Sequence, residues 1–268
     1  PKILPLFFSA ATFLKMTKLT RTEIINALVQ QLEPLEGALA LWEAGSAAFG
    51  RVDAYSDIDL HIIVADDAVE EIFQRAETTL RQLSPISDIF RVPEPTWHGH
   101  SQAFYTLENA SPFLLIDFAV MKLSSEDKFL QPEVHGEAVV LFDKVGAITA
   151  VPFDHEAHQT FLQKRVGELE ITFKRYQAHV VKEILRGNVL NAMHFYPHMT
   201  LGPLRELLRI KYDPTRPSWG QRYLSFYLPP EDREKLESLN LIKDLADLEK
   251  KQKMAEDWVG KLVEELSR

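Results

Sequence analysis

The spacing of apolar residues changes once along this chain, near Pro152, and that change constrains the fold more than any other feature. Before it, short apolar runs of period two are separated by turn residues. The segments 38–44, 58–64, 86–92, 102–107, 113–121 and 138–142 read as strands, with an amphipathic helix over about 67–83. A first helix is predicted over 21–33, because Thr20 and Glu23 have capping-box spacing and Ile24, Ile25, Leu28, Val29 and Leu32 share one helical face. After Pro152, Leu162, Val166, Leu169, Phe173, Tyr176 and Val180 step by four and three, the seam of a long helix packed on another helix. The expected architecture is α+β: a mixed β-sheet with flanking helices, then an all-α helical bundle. Domain bounds follow as 1–19 for an N-terminal extension, 20–150 for the sheet domain and 151–268 for the helical domain.

A chain of 268 residues with 46% hydrophobic and 26% charged residues can bury two cores. Its net charge of −9 argues against a nucleic-acid partner, since phosphate-backbone binding needs a basic surface, and it suits cationic substrates. Cysteine is absent, which excludes disulfides and thiolate metal sites and fits a reducing compartment, so a cytoplasmic location is expected. The apolar run at 3–14 is too short to span a bilayer and lacks the flanks of a signal peptide, so no membrane partner is expected. Met16 followed by Thr17-Lys18-Leu19-Thr20 reads as a native start, with residues 1–15 upstream of it.

Residues 45–64 read GSAAFGRVDAYSDIDLHIIV. On a strand, Asp57, Asp59 and His61 share one face while Ile58, Leu60, Ile62 and Val64 share the other. Two carboxylates about 4 Å apart repel by ~4 kcal/mol at an effective dielectric near 20. A divalent cation between them converts that repulsion into binding, and Mg²⁺ prefers such hard oxygen ligands with waters and substrate phosphates completing its shell. Gly45 and Ser46, at the end of the preceding strand, could hold phosphate oxygens through backbone amides and a hydroxyl, with Arg51 adding charge. Asp117 sits in the otherwise apolar FLLIDFAVM, where an unpaired charge would be costly. If its strand neighbours 58–64, three acids meet at one metal site suited to phosphoryl or nucleotidyl transfer.

The pattern of Gly-Ser, a short turn, Asp-x-Asp on a strand and a later strand acid resembles the nucleotidyltransferase superfamily, over about residues 20–142. The helical region resembles more loosely the C-terminal domain of the kanamycin and streptomycin nucleotidyltransferases, within the aminoglycoside adenylyltransferases. The resemblance implies that Asp57 and Asp59 bind metal, that Gly45 and Ser46 hold the triphosphate, and that Asp117 is a ligand or a general base. It implies Mg²⁺, with ATP as co-substrate, and transfer of AMP to a hydroxyl of a small, polyhydroxylated or cationic acceptor such as an aminoglycoside, in a cleft between the two domains. Transfer to a protein side chain and nucleotide binding without turnover are the alternatives.

The remaining polar clusters read as structure. His155 and His158 lack the i,i+4 spacing of a helical zinc pair, and Pro197 interrupts that between His194 and His198. His98 and His100 are expected in a surface loop. Glu168, Glu170 and Glu183 are expected on solvated helix faces, and Trp219, Tyr223 and Tyr227 in core packing.

Overall fold

A computed structural model of the chain describes residues 19–268. The predicted extension, apart from Leu19, lies outside the described residues. Leu19 itself belongs to the body of the protein: its N–H donates to the Asn109 carbonyl at 3.0 Å and its side chain packs against the core. The chain divides into two compact units between Phe153 and Asp154.

The first unit opens with α1 (Arg21–Leu32). The Thr20 hydroxyl accepts from the Glu23 amide, and the Glu23 carboxylate accepts from the Thr20 amide at 2.7 Å, so the capping box closes. Strands β1 (Ala38–Glu43), β2 (Ile58–Val64), β3 (Ile86–Arg91), β4 (Ser101–Leu107), β5 (Ile116–Lys122) and β6 (Val139–Asp143) form one sheet in the order β3-β4-β5-β2-β1-β6. Only β2 and β5 pair in parallel; the other neighbours are antiparallel. Between these strands lie the short α2 (Gly45–Ala48), α3 (Val69–Leu83) and the short α4 (Pro132–His135).

The alternation seen in the sequence sorts side chains onto two unlike faces. Ile58, Leu60, Ile62 and Val64 join Ile116, Phe118 and Val120 under the apolar sides of α1 and α3, forming the main core. Each such aliphatic or aromatic side chain contributes roughly 1.5–3 kcal/mol by burial. On the opposite face Ala40, Trp42, Ile63, Ala119 and Met121 pack with Leu130 in a smaller cluster. That cluster covers the face toward the ends of β2 and β5. Asp59 and Asp117 lie at their beginnings.

β5 starts at Ile116, three residues later than the apolar run suggests. Leu114 donates its N–H to the Ser111 carbonyl at 2.9 Å, so Ser111–Leu114 turn instead of extending, and Phe113 stays exposed against Tyr55.

The second unit is helical, built from α5 (His155–Leu185), α6 (Val189–Phe195), α7 (Gly202–Tyr212), the short α8 (Leu224–Tyr227), α9 (Pro230–Asn240) and α10 (Leu245–Leu266). Val166, Leu169, Phe173 and Val180 are buried in the seam, whereas Tyr176 is 42% exposed. Gln177 takes the inward place, accepting from the Thr200 hydroxyl at 2.7 Å and donating to the Met199 carbonyl at 2.8 Å. The break anticipated near Pro197 is a π-helical stretch, Tyr196–Leu201. Proline has no N–H and its ring crowds the preceding turn, and a locally widened helix relieves both.

Glu183 is not on a solvated face. It is buried and accepts from Arg186, Asn188 and Asn191, tying α5 to the turn that follows it. Trp219, Tyr223 and Tyr227 are half-buried rather than core, with the Arg216 and Arg222 guanidinium groups over their rings. Fully buried Arg209 organises that loop by donating to Asp213 and to the carbonyls of Gly220 and Arg222. Among the described residues no helix is long and apolar enough to cross a membrane.

Candidate active site

Strand register decides which acids meet. In the β2–β5 pair Asp59 is the direct partner of Asp117, so two carboxylates of the same open face stand on neighbouring strands about 4.8 Å apart at their backbones. Burial differs: Asp59 is 8% exposed and Asp117 half-buried. Asp57 lies one residue before β2, half-buried, and its carbonyl accepts from the Arg21 guanidinium. Arg21 also pairs with the buried Glu43 at the end of β1. The start of α1 thus fixes the approach to β2 through two bonds from one side chain.

The Gly45–Arg51 turn packs directly on Asp59. A Cβ at Gly45 would fall 1.7 Å from Asp59 Oδ2, and Gly45 has φ +54°, so this position needs glycine twice over. The Ala44 amide donates to the Asp59 carbonyl at 2.9 Å, and the Arg51 amide donates to the Ser46 carbonyl at 2.8 Å, closing the turn. Ser46 is buried, and its Oγ has no hydrogen-bond partner among the described residues. A buried hydroxyl without a partner carries a desolvation cost that a ligand oxygen would relieve. The Arg51 guanidinium lies over the Phe49 ring, 5.4 Å from its centre. Gly136 and Glu137 brace the far side, where the Glu137 amide donates to the Ala48 carbonyl at 3.0 Å and a Cβ at Gly136 would strike that same oxygen at 2.6 Å.

A hydrogen-bonded chain that the sequence did not reveal leads into Asp117. The Gln102 amide donates to Asp117 Oδ1 at 2.6 Å, and Gln102 Oε1 lies 3.2 Å from His98 Nε2. The His100 N–H donates to His98 Nδ1 at 3.2 Å, so Nδ1 is the bare nitrogen and Nε2–H the donor to Gln102. His98, His100, His61 and His135 ring Phe129, at centroid distances of 5.1 to 6.1 Å. His98 and His100 are therefore not surface histidines: the first is half-buried and the second buried. Burial, then repulsion from His135, His100 and His98, pushes His61 down to about 3. Burial also pushes His100 down, helped by His98 and opposed by Asp127.

The geometry brings two of the three predicted acids into register and leaves Asp57 just outside the strand. Among the described residues no group of three or more His, Asp or Glu is arranged to hold a metal ion. A pair of carboxylates still fits Mg²⁺, which takes one or two from protein and the rest of its shell from water and substrate phosphates. Gly45 packs against Asp59, and Ser46, next in the same turn, carries the buried hydroxyl. In the second unit, grooves of about 400 and 450 Å³ are lined by residues such as Phe173, Gln177 and Val259, and Tyr176, His198 and Glu206.

Comparison with protein-family models and with curated proteins gives no match. Solved structures that resemble the chain include an aminoglycoside 6-adenyltransferase from Bacillus subtilis, at 13% identity and TM-score 0.37, covering 93% of this chain and 90% of that one. A STING-associated CdnE c-di-GMP synthase from Capnocytophaga granulosa matches at 15% identity and TM-score 0.32, covering 96% and 82%. At these scores neither likeness bears on activity.

Proposed function

We propose that the protein is a metal-dependent nucleotidyltransferase that moves AMP from ATP to a hydroxyl of a small acceptor, of the aminoglycoside type, and releases pyrophosphate. The observation that carries this reading is the register of Asp59 on Asp117, with Gly45 and Ser46 packed against the first of them. The acceptor oxygen forms a bond to the α-phosphorus, the bond from that phosphorus to the pyrophosphate oxygen breaks, and the hydroxyl proton leaves to a carboxylate or water. In-line attack places the incoming and departing oxygens on opposite sides of the phosphorus.

A divalent cation held by Asp59 and Asp117 would neutralise phosphate charge and orient the α-phosphate. Gly45 and Ser46 would hold the triphosphate, with Arg51 the cation nearest to them in sequence. Asp117, which accepts from the Gln102 amide, is the carboxylate nearer to β4. Pyrophosphate release with Mg²⁺ and ATP, followed across small acceptors, tests the reading. Release by the wild type and its loss in Asp59→Ala supports it, and no release, or equal release from the variant, contradicts it.

A further inference from the structure

The open face of the sheet continues from the acids as a row of cross-strand partners. Asp59 pairs with Asp117, Asp117 with Phe104 on β4, and Phe104 with Phe90 on β3. The two phenylalanine rings lie nearly parallel, 6.3 Å apart with 16° between their planes, and Phe90 is 53% exposed. Strands about 4.8 Å apart carry this apolar floor roughly 10 Å beyond Asp117. Asp88, exposed, stands two residues from Phe90 on the same face. Arg91 points to the other face, over the Phe73 ring and paired with Glu70 at 2.7 Å.

Direction decides what the floor receives. If transfer proceeds as proposed above, on which this inference rests, the pyrophosphate leaves toward Gly45 and Ser46, on the β1 side of Asp59. In-line displacement then requires the acceptor to arrive from the β4 side of Asp117. We propose that Phe104 and Phe90 form the floor of the acceptor seat and that Asp88 is its charged edge, so that the site selects a ring-shaped acceptor bearing an ammonium group. Aromatic faces attract cations as well as burying apolar ring faces, and the neighbouring carboxylate adds attraction without supplying a competing positive charge.

The test uses the full chain, saturating Mg²⁺ with α,β-methylene ATP, and kanamycin as the probe, with calorimetric titration of each. Phe90→Ala and Phe104→Leu should each weaken kanamycin binding by about tenfold, and Asp88→Asn by a few-fold. Affinity for the ATP analogue should stay within about twofold of wild type in all three, since the floor holds the acceptor and not the donor. Phe90 is exposed at a sheet edge, so its alanine variant keeps the fold, and an unchanged melting temperature verifies it. Unchanged kanamycin binding in Phe90→Ala and Phe104→Leu overturns the inference. So does a parallel loss of ATP-analogue affinity, which would make the floor a seat for the nucleobase. A wild type that binds the analogue but not kanamycin overturns the inference and leaves nucleotidyl transfer standing. One that binds neither and releases no pyrophosphate removes both.

Discussion

A methyl group added at position 45 would displace the Asp59 carboxylate, so glycine there serves the acid more than the turn. Gly45→Ala combines a left-handed backbone strain of roughly 1–2 kcal/mol with that displacement. Misplacement of a reacting group by about 1 Å costs on the order of 100-fold. The expected outcome is a loss of pyrophosphate release near that size, and a Gly45→Ala enzyme of wild-type rate would contradict the placement. Gln102 acts on Asp117 through a bond of the charge-assisted kind, worth roughly 1.5–3 kcal/mol. Gln102→Leu should lower kcat by about tenfold or more while leaving the KM for ATP near wild type. A rise in KM alone would show that Gln102 touches the nucleotide instead. Asp59 and Asp117 were legible from alternation, because a lone acid on the polar face of an apolar strand needs a reason. Gln102 and His98 were not, because their partners are chosen by the register of β4 on β5, which no local pattern encodes. A glutamine on the half-open face of an alternating strand was the available signal.

Among the elements, the strands were readable almost to their ends, since period two is a direct consequence of the pleat. The exceptions have local causes. Ser111 and Pro112 turn the chain before β5, and Pro197 widens a helix that sequence alone would break. The histidine cluster escaped notice because Phe129, which gathers it, lies in a loop between β5 and α4. That cluster makes a prediction about β2. The unfolded chain binds a proton at His61 near pH 6.5, whereas burial delays this in the folded chain to about 3. The stability linked to His61 is therefore full above about pH 6.5 and is lost progressively as pH drops from there toward 3. Denaturant midpoints at about pH 7 and about pH 5 should separate in the wild type and draw together in His61→Leu. Equal separation in both would place the dependence elsewhere.

For the molecule as a whole, the change of periodicity near Pro152 matches two separate hydrophobic cores. Every buried apolar residue of the sheet core precedes Asp154, and every one of the helical core follows it. Leu28→Ala and Leu204→Ala, both at fully buried positions, should each cost ~2–5 kcal/mol. Calorimetry should show each variant lowering a different transition; one shared transition lowered by both would mean that the cores unfold together. The acidic balance of the chain suits the proposed cationic acceptor, yet charge alone is shared by many solvated surfaces and does not by itself point to β3 and β4. The proposed chemistry requires that Asp59 and Asp117 together hold a divalent cation on a nucleotide. Its most direct test is Mn²⁺ titration in the presence of α,β-methylene ATP, followed by electron paramagnetic resonance. One tight nucleotide-dependent site is expected in the wild type, weakened by at least about tenfold in Asp59→Asn and in Asp117→Asn. Wild-type Mn²⁺ affinity in both variants would contradict it.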